Sequence, residues 1–162
     1  MRLLLIVLFL LSLAASAADS SLVGKAAPDF ALRATNGPNQ RLSEFAGDVV
    51  LISFWASRCN TCRDQLRSLD ALHRTYANAG LVVVGIGVED DDGKAREFAA
   101  SQPVGFPMLL DPQKTVARSY RIESLPTVIA VDRGGVVRYV SRDGSGKTQP
   151  DYLGVLRTLL DE

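Results

Sequence analysis

The chain reads as an α/β protein, a β-sheet covered by helices, on three observations. Two continuous apolar runs, 49–54 and 81–88, are dense in β-branched residues, the pattern of strands buried on both faces. Between them Leu66, Leu69, Leu72 and Tyr76 recur at three- and four-residue steps, which is helix periodicity. Further on, two apolar runs flank Asp132-Arg133-Gly134-Gly135, a hairpin turn. At 162 residues the chain has a one-domain length, enough to bury about two-thirds of its unfolded surface.

The elements follow in order. Residues 1–18 carry one positive charge at Arg2, an apolar core over 3–13 and the small residues Ala15-Ser16-Ala17. That is the layout of a secretory signal peptide cut after Ala17 or Ala18. The apolar stretch falls short of the roughly 20 residues that cross a bilayer comfortably, and an uncleaved anchor is the alternative. Residues 19–162 then form the mature domain, which works outside the cytosol. Strands at 31–34 and 40–43 flank Asn36-Gly37-Pro38-Asn39, a hairpin with a turn of Asn, Gly and Pro. A turn at 44–47 leads into the central strand, 49–54. The following helix turns Arg63, Asp64, Arg67 and Asp70 outward and stops at Asn78 and Gly80.

The second internal strand, 81–88, ends in Glu89-Asp90-Asp91-Asp92-Gly93, where Asp92 is positioned to cap a helix running to Ser101. Residues 106–110 read as a short edge strand because they contain Pro107, and proline is tolerated at edges. Asp111-Pro112 opens a helix to Tyr120, with Asp111 as cap and proline at the first position. Strands at 125–131 and 136–140 follow. The Gly/Ser-rich loop 141–149 lacks the Gly-x4-Gly-Lys-Ser/Thr spacing of a phosphate loop. A helix over 151–160 closes the chain, with Leu153, Leu156, Leu159 and Leu160 inward.

Eighteen basic residues balance 18 acidic ones, so no basic excess points to nucleic acid or an anionic membrane surface. The chemistry concentrates in Cys59 and Cys62, the only cysteines, set where the central strand hands over to a helix. Residues three apart on a helix share a face and meet disulfide geometry. A thiol at a helix N-terminus faces unpaired N–H groups, which lower its pKa, and Arg58 adds positive charge beside it. Cys59 is therefore the expected attacking thiolate and Cys62 the resolving thiol. As a structural staple the pair would be poor, because so short a loop removes little entropy from the unfolded chain. His73, the only histidine, does not complete a zinc site with two cysteines, since zinc needs four ligands or three and a water.

The segment Phe54-Trp55-Ala56-Ser57-Arg58-Cys59-Asn60-Thr61-Cys62 resembles the active-site region of the thioredoxin superfamily. Gly24-Lys25-Ala26-Ala27-Pro28-Asp29-Phe30 is similar to the opening of its extracytoplasmic TlpA/ResA-like branch, and Ser124-Leu125-Pro126-Thr127 to its cis-proline segment. The resemblance covers residues 24–162 and implies a thioredoxin-like fold, with a central mixed sheet, flanking helices and an added N-terminal hairpin. It departs at Arg58, where the family usually has Trp, and at Thr61, where it often has Pro. Thioredoxin itself has a buried Asp at the place of Ser53.

The resemblance further implies a cis bond before Pro126 and substrate contact by Trp55, Arg58, Leu125 and Pro126. A substrate peptide would add as a strand beside Leu125. It implies that Glu89 lies buried near the dithiol and takes the proton of the resolving thiol; the alternative is one carboxylate of a solvated acidic turn. The implied activity is a periplasmic thiol–disulfide oxidoreductase that reduces disulfides and needs no cofactor beyond the Cys59–Cys62 disulfide. Its expected partners are disulfide-bearing envelope proteins, as in cytochrome c maturation, and a membrane electron donor, with the chain itself a monomer. Oxidase or isomerase action is the alternative direction. A peroxiredoxin-like peroxidase is disfavoured because Ala56 stands where Thr or Ser is needed. A copper carrier is disfavoured because the cysteines are not spaced Cys-x3-Cys.

Overall fold

The computed structural model describes residues 21–141 and 152–162. The signal-peptide reading of 1–18 and nearly all of the 141–149 loop lie outside them. The strands are β1 (Ala31–Ala34), β2 (Gln40–Arg41), β3 (Val49–Trp55), β4 (Leu81–Gly87), β5 (Met108–Leu110), β6 (Thr127–Val131) and β7 (Val137–Ser141). The helices are α1 (Asn60–Tyr76), α2 (Asp92–Ala100), α3 (Thr115–Ser119) and α4 (Tyr152–Asp161).

All seven strands join one mixed sheet in the order β2-β1-β5-β4-β3-β6-β7. β3 pairs parallel with β4 and antiparallel with β6, and every one of its residues is buried. Because side chains alternate across a strand, β3 divides the core in two. Val49, Leu51 and Trp55 pack with Leu66 and Leu69 of α1, Phe98 of α2 and Leu156 of α4. Val50, Ile52 and Phe54 pack on the other face with Val116, Ala117 and Tyr120. The Tyr120 hydroxyl donates to Pro28 O at 2.7 Å. Burial, with the Asp29 charge nearby, holds it above the ordinary tyrosine range.

Four local expectations need correction. β5 is internal, because the hairpin strand β1 pairs with it on the side away from β4; Pro107 sits just ahead of the ladder, where its missing N–H costs nothing. Asp91, not Asp92, caps α2, its Oδ1 accepting from Gly93 N and Lys94 N at 2.9 and 3.1 Å. α3 begins at Thr115, after a turn in which Lys114 takes a left-handed φ of 55°. Asp111 still serves that helix, accepting from Thr115 N and Ala117 N at 2.9 Å each. Asp70 points inward rather than outward. It is 2 % exposed and accepts from Gly105 N and Arg74 Nη2, both at 2.7 Å, so its burial is compensated.

Two glycines of β4 make room for Trp55. A Cβ on Gly87 would stand 2.7 Å from two carbons of the indole, and one on Gly85 would meet Met108 Sδ at 2.6 Å. Gly87→Ala must therefore displace a wholly buried ring, and overpacking of this kind costs about 1–3 kcal/mol. Urea unfolding of the variant should show that loss; an unchanged midpoint would mean that Trp55 has space to yield.

Candidate functional site

The site begins where β3 leaves the sheet. Val88 N donates to Trp55 O at 2.9 Å, and Cys59 N to Ala56 O at 3.0 Å, so the chain turns tightly between strand and helix. Cys59 is the N-cap of α1: its Sγ accepts from Cys62 N at 3.2 Å. A sulfur thus takes the place usually filled by a Ser or Asp oxygen, and it shares this N–H with the Cys59 carbonyl, which accepts from Cys62 N at 3.2 Å as well. The Thr61 hydroxyl lies 3.6 Å from the same sulfur, a contact that proline at this position would not make.

Cys59 and Cys62 are joined, with S–S 2.08 Å and Cα–Cα 5.3 Å. Their surroundings differ. Cys59 is half-buried, whereas Cys62 is 1 % exposed and belongs to the core. Cys59 is thus the more accessible of the two.

Glu89 follows β4 and is half-buried rather than enclosed. Its Oε2 accepts from Ser57 N at 2.7 Å, two residues before Cys59. The carboxylate is thereby neither a free member of the acidic turn nor sealed in the core; it fastens the loop that carries the cysteine. Ser53, wholly buried on β3, has a hydroxyl without a hydrogen-bond partner among the described residues. It supplies no acid to the site.

Arg58 is exposed beside Cys59. The Leu125–Pro126 bond is cis. Pro126 is buried and lies one step beyond the Thr127↔Phe54 pair, level with the end of β3. Leu125 is half-buried and packs against both halves of the core; among the described residues no hydrogen bond uses its backbone. Trp55 requires correction as a substrate contact. It is 0 % exposed and stacks on Phe98 with ring centroids 4.9 Å apart and planes 24° apart, so no face of it meets a partner.

Sequence reasoning passed over Ser57, Phe98 and Arg63. The Arg63 guanidinium stands 5.4 Å from the Phe98 ring centroid, and its adjacency to Cys62 was the available signal. A cavity of about 500 Å³ lies between the hairpin and α2, with no cysteine in its lining.

Comparison with known proteins agrees with this geometry. The AhpC/TSA family pattern matches residues 23–140. Thiol-disulfide oxidoreductase ResA of Geobacillus kaustophilus is 30% identical over 118 residues, spanning 73% of this chain and 68% of that protein. Thioredoxin-like protein YneN of Bacillus subtilis is 33% identical over 118 residues, spanning 71% and 68%. A Chlorobium tepidum structure, provisionally described as thiol:disulfide interchange protein DsbE, superposes with TM-score 0.75 at 30% identity, covering 85% of this chain and 94% of that one.

The Glu89–Ser57 contact yields a stability test. Glu89→Ala leaves the Ser57 N–H without its acceptor, a loss of about 1–3 kcal/mol, whereas Glu89→Gln keeps an acceptor oxygen and should lose less. Urea unfolding of the oxidised protein measures both. Equal losses would show that the hydrogen bond does not hold the loop.

Proposed function

We propose, from the premise that this chain belongs to the AhpC/TSA family and is a thiol–disulfide oxidoreductase, that it reduces disulfides of proteins outside the cytosol, in settings such as cytochrome c maturation. The observation that carries the reading is the asymmetry of the pair: a half-exposed Cys59 at the helix mouth and a buried Cys62 behind it.

The reduced chain acts in two exchanges. Cys59 thiolate attacks one sulfur of the partner disulfide; a Cys59–partner bond forms, the partner S–S bond breaks, and the displaced thiolate takes a proton. Cys62 then loses its proton and attacks Cys59 Sγ. The Cys59–Cys62 bond closes, and the partner leaves with both thiols, having gained two electrons and two protons. Cys62 N–H, and the Thr61 hydroxyl, are placed to stabilise charge on Cys59 Sγ. Glu89 takes the Cys62 proton and at the same time steadies the loop through Ser57. Leu125, with its backbone free of hydrogen bonds among the described residues, receives the partner's main chain as an added strand beside Pro126. Returning the disulfide to the dithiol requires an external dithiol donor. The expected donor is a membrane protein, since the periplasm is otherwise oxidising.

Peroxidase action is not supported, because Ala56, 1 % exposed, stands three residues before Cys59 and offers only a methyl group. Cys59→Ser should abolish reduction of insulin or of a partner disulfide. Cys62→Ser should instead trap mixed disulfides that survive non-reducing electrophoresis. Full turnover by Cys59→Ser would reverse the two assignments.

A further inference from the structure

Beside the active-site loop a groove of about 240 Å³ is lined by Ser57, Arg63, Lys94, Glu97, Phe98 and Ser101. Its position follows from the core outward. Gly87 gives space to Trp55, Trp55 stacks on Phe98, and Phe98 carries the Arg63 guanidinium on its face. The cation is therefore held by a ring that belongs to the hydrophobic core, at the residue directly after Cys62. No carboxylate among the described residues pairs with Arg63 or with Arg58. Lys94 reaches Asp91 only at 3.9 Å. Glu97 is the one acidic residue in the lining.

Two guanidinium groups without a carboxylate partner among the described residues thus flank the dithiol in sequence, on a chain whose formal charge is zero overall. A cation on an aromatic face keeps its N–H edge free to donate, and guanidinium matches carboxylate in planar geometry. We propose that Arg63, with Lys94, makes this groove a specificity site for the partner: it selects disulfides flanked by Asp or Glu, whose carboxylate lies against Arg63 while the disulfide meets Cys59. This deepens the exchange reading above and rests on it. Arg63 is a specificity-determining residue, held in place through Phe98.

The test uses the reduced full-length protein and three short cyclic disulfide peptides that differ only in carrying Glu, Gln or Lys beside their cysteines. Rates of oxidation of the protein are read by thiol trapping. The Glu peptide should react about threefold faster than the Gln peptide, the scale of an exposed charge pair, and the Lys peptide slowest. High salt should bring the Glu-to-Gln ratio towards one. In Arg63→Gln that ratio should fall to about one, and Arg63→Lys should restore part of it. Because the readout is a ratio, a general loss of activity in the variant does not mimic the result. A wild-type ratio of one, a Lys peptide that reacts fastest, or a ratio that survives Arg63→Gln would overturn the proposal while leaving the exchange reading intact. Failure of all three peptides to oxidise the protein would overturn both.

Discussion

The loop that carries the cysteines is only as well placed as the end of β3, and β3 is the most constrained element of the molecule. Its seven residues are all buried between parallel β4 and antiparallel β6. Slippage by one residue would exchange Trp55 and Leu51 with Phe54 and Ile52 across the sheet, which two packed faces forbid. Beyond the strand, Val88 N fastens Trp55 O and Glu89 fastens Ser57 N. Position is thus handed from the sheet to the loop, and from the loop to the cap of α1.

That arrangement explains how two identical side chains acquire different chemistry. Cys59 caps the first turn, its Sγ and its carbonyl both accepting from Cys62 N. Cys62 sits one turn in, with Leu66 and Leu69 as core companions. The first sulfur stands at the helix start, half-buried, and the second is enclosed by the core. In the proposed exchange a partner disulfide meets the half-buried Cys59 before the buried Cys62. The same core reaches the surface through Trp55 and Phe98 to Arg63, so that packing and charge placement around the dithiol share one origin.

Much of this was legible in the chain. The continuous apolar run at β3, the Cys-x2-Cys pair after it and the leucine steps of α1 each have a single physical meaning, and each is found as read. The failures share a cause: contacts from distant sequence. Asp70 stands four residues after Leu66, on the apolar stripe, but its charge argued for solvent; only Gly105 N and Arg74 together make its burial tolerable. β5 reads as an edge from its own residues, but β1 of the distant hairpin pairs with it through Arg33↔Leu110 and Ala34↔Leu109. Three consecutive aspartates concealed which one caps α2, since that depends on the extended backbone of Asp91. Trp55 shares the inward alternation of Val49 and Leu51, and Gly85 and Gly87 opposite were the overlooked sign that a large ring lies over β4.

The proposed exchange requires Cys59 to be the sulfur that meets the partner. Timed alkylation of the reduced protein with iodoacetamide, each cysteine followed by peptide mass analysis across pH, tests it most directly. Cys59 should be modified first, with a rate that rises at lower pH than for an ordinary thiol, while Cys62 stays protected until the chain unfolds. Modification of Cys62 first, or of both at one rate, would contradict it.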